Sequence, residues 1–316
     1  CGQESEGNKK LLSLIPGDAA GVISLDFKSL SSFNRKDIFD GIIKEVEKKK
    51  PGETEKNFDY KEFVSKTGIE PHKHLHGLVF AYFEALDIIA EKQETPDILF
   101  LVKLDFDSEK LLSIIREKNK TTEESFNGRS ILIDRENQKL AVSFLDAGTM
   151  AIGAPGIIKK VISRLKETNP PPLPDTGINP YIKAFKPGIF ASFALEVPES
   201  ARKIHEAGMY PVDLSKAEML SGHFHISGDT PITTGALSGR IELIRHDETL
   251  NKQLLTILNG LKAMAALGGP GAAEAAKHIN LDADGEKVSL NFSFSTEIME
   301  KLTQMGTGRA GTPQTK

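Results

Sequence analysis

The sequence predicts an α+β chain of two tandem modules, built alike, each an antiparallel or mixed sheet packed by helices. Short aliphatic and aromatic runs follow turn signals, amphipathic helical runs separate them, and one proline-rich stretch divides the chain. That stretch, residues 169–177 (NPPPLPDTG), holds four prolines in nine residues and can neither continue a helix nor fill a central strand. The implied order is a tether over 1–10, a first module over 11–168, a linker over 169–177, a second module over 178–305 and a tail over 306–316.

The strand signals come in order. Pro16-Gly17-Asp18 precedes AAGVISLDF at 19–27, Thr95-Pro96-Asp97 precedes ILFLVKLDF at 98–106, and Pro187-Gly188 precedes IFASFALEV at 189–197. The runs 130–134 and 139–144 flank a polar turn as a hairpin, and 149–153 adds a strand leading into Pro155. In the second half, 219–227 and 237–245 flank a Gly/Thr/Pro loop. Val288, Leu290, Phe292 and Phe294 alternate with Ser289, Asn291 and Ser293, which predicts a half-exposed strand with the serines on its wet side.

Helices are equally legible. One is expected over 38–50, ended by Pro51-Gly52. Asp107 precedes Leu111, Leu112, Ile114 and Ile115 as a cap, and Pro155 opens a helix with Ile157, Ile158, Val161, Ile162 and Leu165 on one side. Pro198 opens another. Asp247 begins the longest, where Leu250, Leu254, Ile257, Leu258, Leu261, Met264 and Leu267 recur mostly at spacings of three and four until Gly268-Gly269-Pro270-Gly271. Thr296 is placed to cap the last helix.

Composition narrows the function. Over 316 residues, 40 Lys+Arg against 44 Asp+Glu give a net charge of −4, without the basic excess of a nucleic-acid binder. No apolar run reaches the roughly 18–20 residues a membrane-spanning helix needs. A single Cys excludes an internal disulfide and a thiolate zinc cluster. Phe outnumbers Tyr 17 to 4 and Trp is absent, a poor composition for a sugar-binding platform and a natural one for packed or ligand-lined apolar strands.

That single Cys is residue 1, followed by the small and polar residues GQESEGNKK. A Cys followed by such a tether resembles the mature form of a bacterial lipoprotein, in which signal-peptide removal leaves a lipid-modified N-terminal Cys. The resemblance implies lipid attachment at Cys1 and a folded part held in the cell envelope, touching a membrane through the anchor only. In that class Asp after the Cys retains a protein in the inner membrane of Gram-negative cells. Gly2 departs from that signal, so the resemblance favours the outer membrane.

Few motifs carry chemistry. His72, His74 and His76 lie in PHKHLHG, and His223 and His225 in GHFHIS. Residues two apart on a strand share a face, so such imidazoles are candidates to hold zinc or another transition metal. Phe224 and Ile226 take the apolar side of 221–227, which instead places His223 and His225 on a solvated face with Ser221 and Ser227. Asp105 and Asp107 flank a strand end, where Asp107 has the simpler role of helix cap. No G-x-S-x-G, H-E-x-x-H or phosphate-loop signature occurs, and 268–271 reads as a helix breaker. Asp282 to Gly285 lacks the ligand series of a calcium loop and reads as a hairpin turn. Lys48 to Lys50 are flanked by glutamates, as on a solvated helix end.

The reading that absorbs most of these features is a non-catalytic envelope lipoprotein presenting a binding surface to a protein or cell-wall partner. One alternative is a carrier or sensor of an apolar ligand, held by the 250–267 helix and the sheet aromatics. The other is a metal-binding protein or metal-dependent hydrolase built on the H-x-H pairs.

Overall fold

The structure is a computed structural model and describes residues 6–30, 35–47, 59–84, 97–118, 121–136, 138–166, 173–203, 213–227 and 236–308. Residues 1–5 of the expected tether, Cys1 among them, residues 169–172 of the proline-rich stretch and the tail from 309 lie outside the described residues, while residues 6–10 of that tether belong to a helix. The chain forms two compact units, Cys1–Glu84 with Glu94–Gly188, and Ala85–Gln93 with Ile189–Lys316.

The first unit runs α1 (Glu6–Ser13), β1 (Gly21–Asp26), a 3-10 turn (Phe27–Leu30), α2 (Arg35–Glu47), α3 (Tyr60–Thr67), α4 (Pro71–His74), β2 (Leu75–Tyr82) and β3 (Ile98–Leu104). It continues with α5 (Ser108–Lys118), β4 (Thr121–Phe126), β5 (Arg129–Asp134), β6 (Ala141–Asp146), β7 (Thr149–Gly153), α6 (Pro155–Lys166) and α7 (Asn179–Lys183). Its strands lie in the order β1-β2-β3-β7-β6-β5-β4, each pair antiparallel. Helices α1 and α6 pack on one face, burying Leu11, Leu14, Ile15, Ile157, Ile158, Val161 and Ile162 with Val79, Leu99, Leu101 and Ala151 of the strands. Helices α3 and α5 cover part of the other face, where Ile69, Leu104 and Leu111 form a small core with Phe63, Val102, Phe144 and Met150. Leu173 and Ile178 are buried, and Asn179 donates to the Gly17 carbonyl at 3.0 Å, tying α7 to the turn before β1.

The second unit runs β8 (Ala191–Glu196), α8 (Glu199–Lys203), β9 (Met219–Ser227), β10 (Ala236–Ile244), α9 (Glu248–Ala266), α10 (Pro270–Lys277), β11 (Ile279–Ala283), β12 (Lys287–Phe294) and α11 (Thr296–Gly308). Its order is β8-β9-β10-β12-β11, again antiparallel throughout. In each unit antiparallel strands with flanking helices make the α+β fold that the turn, strand and helix rhythm predicts.

The two units share one topology. Each is a three-strand meander, a helical crossover, a two-strand return whose second strand lies beside the third strand of the meander, and a closing helix. The first adds the hairpin β4–β5; without it, β1-β2-β3-β7-β6 matches β8-β9-β10-β12-β11 element for element.

Several ends depart from expectation. Helix α2 starts at Arg35 rather than at residue 38, its expected end at 50–52 lies outside the described residues, and β4, with the polar sequence TTEESF, has no counterpart in the sequence reading. The first N–H groups of α11 meet Ser295 rather than Thr296, since Ser295 Oγ accepts from the Ile298 N–H at 3.4 Å. The glycines after α9 also open a helix, because Pro270 fills the first position of α10, where no N–H is needed.

Candidate functional site

In the first unit two polar residues of β1 join the apolar face that α1 and α6 cover, and the opposite face of the strands stays half-buried. On β1, Val22, Ser24 and Asp26 are buried while Ile23 and Leu25 are half-buried. Ser24 accepts from Asn8 of α1 at 3.1 Å, and Asp26 accepts from the Lys28 N–H at 3.0 Å. Burial pushes the Asp26 carboxyl above its ordinary range, against the Lys28 hydrogen bond and charge. Across the opposite face, Ile23, Phe80, Phe100, Ile152 and Val142 stand side by side on adjacent strands, every one half-buried. Phe80 and Phe100 lie 5.0 Å apart.

The enclosed face of the second unit is more polar. Its polar face aligns Ala194, Ser221, Glu242 and Ser289 across four strands, and Ser192, Ser221 and Ser289 are at most 5% exposed. The predicted wet side of β12 is thus wrong at Ser289: it is enclosed, and Arg240 donates to its hydroxyl at 3.3 Å. Arg240 and Lys287 each approach Glu242 at 2.8 Å. Burial raises the Glu242 carboxyl, but these two cations more than offset that and hold it below the usual carboxylate range.

The other face of the same strands carries Phe193, Leu195, Leu220, Phe224, Ile241, Leu243, Leu290, Phe292 and Phe294, all half-buried. Phe193, Phe224, Phe292 and Phe294 form a continuous aromatic run, with successive ring centroids 5.9, 6.0 and 5.2 Å apart. Helix α9 lies against β11 and β12. Asp247 caps it by accepting from the Leu250 N–H at 3.0 Å. Toward its far end the apolar stripe emerges into solvent, with Leu261 51%, Met264 68% and Leu267 88% exposed. Over residues 253–273 Lys262 is the one charged residue, and its ammonium turns inward to the Ile279 carbonyl at 2.5 Å. Such a stripe, uncharged and open, departs from the ordinary surface of a soluble fold.

The histidines take separate partners. His76 Nε2 meets Asp105 Oδ2 at 2.7 Å, His74 Nδ1 accepts from the Glu70 N–H at 2.9 Å, and His72 Nε2 lies 3.6 Å from Glu70 Oε2. His223 is exposed and stands beside Ser192 and Arg240; His225, half-buried, stands beside Ser238. The two histidine groups belong to different units. Among the described residues no group of three or more His, Cys, Asp or Glu is placed to hold a metal ion. Asp107 Oδ1 accepts from the Lys110 N–H at 3.1 Å as the cap of α5. Asp284 Oδ1 accepts from the N–H groups of Glu286 and Lys287 at 2.8 and 2.9 Å, which makes 282–285 a hairpin turn.

No protein-family model matches the chain, and no curated protein matches it by sequence. Solved structures match in three dimensions, two crystal forms of TP0453 among them. Crystal form I of TP0453 has 11% identity and a TM-score of 0.49, covering 93% of this chain and 96% of that one. Crystal form IV of TP0453 has 9% identity and a TM-score of 0.51, covering 93% of this chain and 95% of that one. The chain has a TP0453-like fold. At that identity the likeness is one of architecture, and it spans nearly the whole of both chains. Among the described residues no helix is long and apolar enough to cross a membrane.

Proposed function

We propose that the protein is a non-catalytic carrier or sensor of an apolar ligand in the bacterial cell envelope. The observation that carries this reading is the sheet of the second unit: serines are enclosed beside a half-buried, ion-paired glutamate on one face, while four phenylalanines stay half-buried on the other. A fully buried Phe contributes about 1.5–3 kcal/mol relative to an exposed one, so a fold that leaves four of them half-open forgoes stability that an apolar ligand would supply. The bare end of α9, with Leu261, Met264 and Leu267 outward, gives such a ligand an apolar approach to the same unit.

This reading places the alternative of an apolar-ligand carrier ahead of a surface for a protein or cell-wall partner. The envelope setting rests on the resemblance of Cys1 and its tether to a mature lipoprotein, in which Gly2 in place of Asp favours the outer membrane of a Gram-negative cell. Mass spectrometry of protein from its native cells is expected to find acyl chains on Cys1.

The direct test of the ligand is solvent extraction of purified full-length protein, followed by mass spectrometry of the extract. A near-stoichiometric apolar compound is expected. An extract empty of apolar compounds, from protein never exposed to detergent, would overturn the reading.

A further inference from the structure

Two glycines interrupt the apolar face of the second unit, Gly222 on β9 and Gly239 on β10. Neither has a positive φ, so backbone conformation does not require them. Cross-strand contact does. A Cβ on Gly222 would stand 2.4 Å from the Arg240 carbonyl oxygen of β10, and 2.7 Å from Cζ and 2.9 Å from Cε1 of Phe193, its neighbour on β8. A Cβ on Gly239 would stand 2.7 Å from Cζ and 2.9 Å from Cε1 of Phe292, its neighbour on β12. Each ring therefore lies down across the adjacent strand and fills the space that a side chain there would take. Phe224, also beside Gly239, bridges the two rings. Interplanar angles of 24°, 43° and 29° along Phe193, Phe224, Phe292 and Phe294 mean that no ring stands edge-on to the next.

We propose that Gly222 and Gly239 are the specificity-determining positions of the apolar site, and that the low aromatic floor they permit selects a ligand with a broad, flat apolar face, such as a fused-ring hydrocarbon, over a single flexible acyl chain. This rests on the ligand-binding reading above. A rigid flat ligand meets several rings at once and gives up no rotors on binding, whereas an acyl chain loses rotamer freedom at each bond it lays down. A methyl at either glycine lifts a ring, and the floor becomes a ridge.

The test is equilibrium fluorescence titration of the full chain with two probes, pyrene as the flat one and cis-parinaric acid as the linear one. Wild type is expected to bind pyrene more tightly. Gly239→Ala is expected to weaken pyrene roughly tenfold and cis-parinaric acid less than about threefold. That methyl would also lie 2.7 Å from the His223 carbonyl, so Phe292→Leu, which removes the ring without touching the strand, is measured in parallel and should show the same selective loss. Tighter binding of cis-parinaric acid by wild type, or an equal loss of both probes in Phe292→Leu, overturns this inference and leaves the carrier reading standing. Failure of wild type to bind either probe overturns the carrier reading and this inference with it.

Discussion

Arg245 and Asn251 hold one another from both ends. Arg245 Nε donates to Asn251 Oδ1 at 3.1 Å, and Asn251 Nδ2 donates to the Arg245 carbonyl at 3.0 Å, with both residues at most 1% exposed. Asn251 also donates to the Asp284 carbonyl at 2.9 Å, and Arg245 donates to the Asp213 carbonyl. The pair thus fixes the first turn of α9 to the end of β10 and to the β11–β12 turn. Asn251→Leu would strand a buried guanidinium N–H and two carbonyls. It is expected to destabilise the protein by about 2–4 kcal/mol in urea unfolding, and a loss under about 0.5 kcal/mol would remove this role.

Helix α1 is seated through a second close fit. A Cβ on Gly77 would stand 2.1 Å from Asn8 Oδ1 and 3.6 Å from Leu11 Cδ1. Gly77→Ala is expected to cost about 1–3 kcal/mol by lifting α1. Adding Asn8→Ala removes the obstructing amide and should return part of that stability. A double-mutant cycle checks the coupling; strict additivity would mean that the two sites do not meet.

Stability should change with pH in two opposed ways. Asp26 ends β1 and Glu196 ends β8, the matching strand of the second unit, and burial raises both carboxyls. A raised carboxyl binds its proton more tightly in the folded chain, so its contribution is full below the unfolded pKa and is lost as pH rises through the folded value. For Asp247 the hydrogen bond from the Leu250 N–H, with that from Lys216, lowers the folded value. Its contribution is present above the unfolded pKa and is lost as pH falls through the folded one. Asp26→Asn should gain on wild type as pH rises from about 4 to about 7, and Asp247→Asn should gain on it as pH falls from about 4 to about 2. Parallel urea curves at both ends of its pH range for either variant would contradict the assignment.

The exposed end of α9 should matter to apolar surfaces and not to folding. Leu261, Met264 and Leu267 changed together to Ser are expected to shift stability by less than about 1 kcal/mol, since such substitutions remove little buried area. The same variant should lose most partitioning into phosphatidylcholine vesicles in a flotation assay. Undiminished flotation would show that the stripe does not contact lipid.

The parts of this fold that were legible in the sequence are those dictated by local physics. Turn signals before β1, β3 and β8, the caps Asp107 and Asp247, and the helical stripe of 250–267 depend on neighbours a few residues away. Strand β4 was not legible, because at the sheet edge TTEESF meets a partner on one side and needs no apolar alternation. Nor was the enclosure of serines in the second unit. Alternation in 288–294 marks two faces without saying which one other elements cover, and Ser289 is enclosed because Arg240 and Glu242 of β10 meet it there. The fit of Phe193 over Gly222 and of Phe292 over Gly239 needs the register of three strand pairs, which spacing along one strand does not contain. The H-x-H pairs were visible as motifs, but their separate partners, Asp105 and Glu70 among them, became visible only in three dimensions.

Photolabelling of the intact protein with 3-trifluoromethyl-3-phenyldiazirine, a small apolar probe, followed by peptide mass spectrometry, bears most directly on a ligand at the second unit. Labels concentrated on Phe193, Phe224, Phe292 and Phe294, and displaced by an excess of unlabelled apolar competitor, are the expected result. Labels confined to Leu261, Met264 and Leu267, with the four phenylalanines unmodified, would contradict an apolar ligand site on that face.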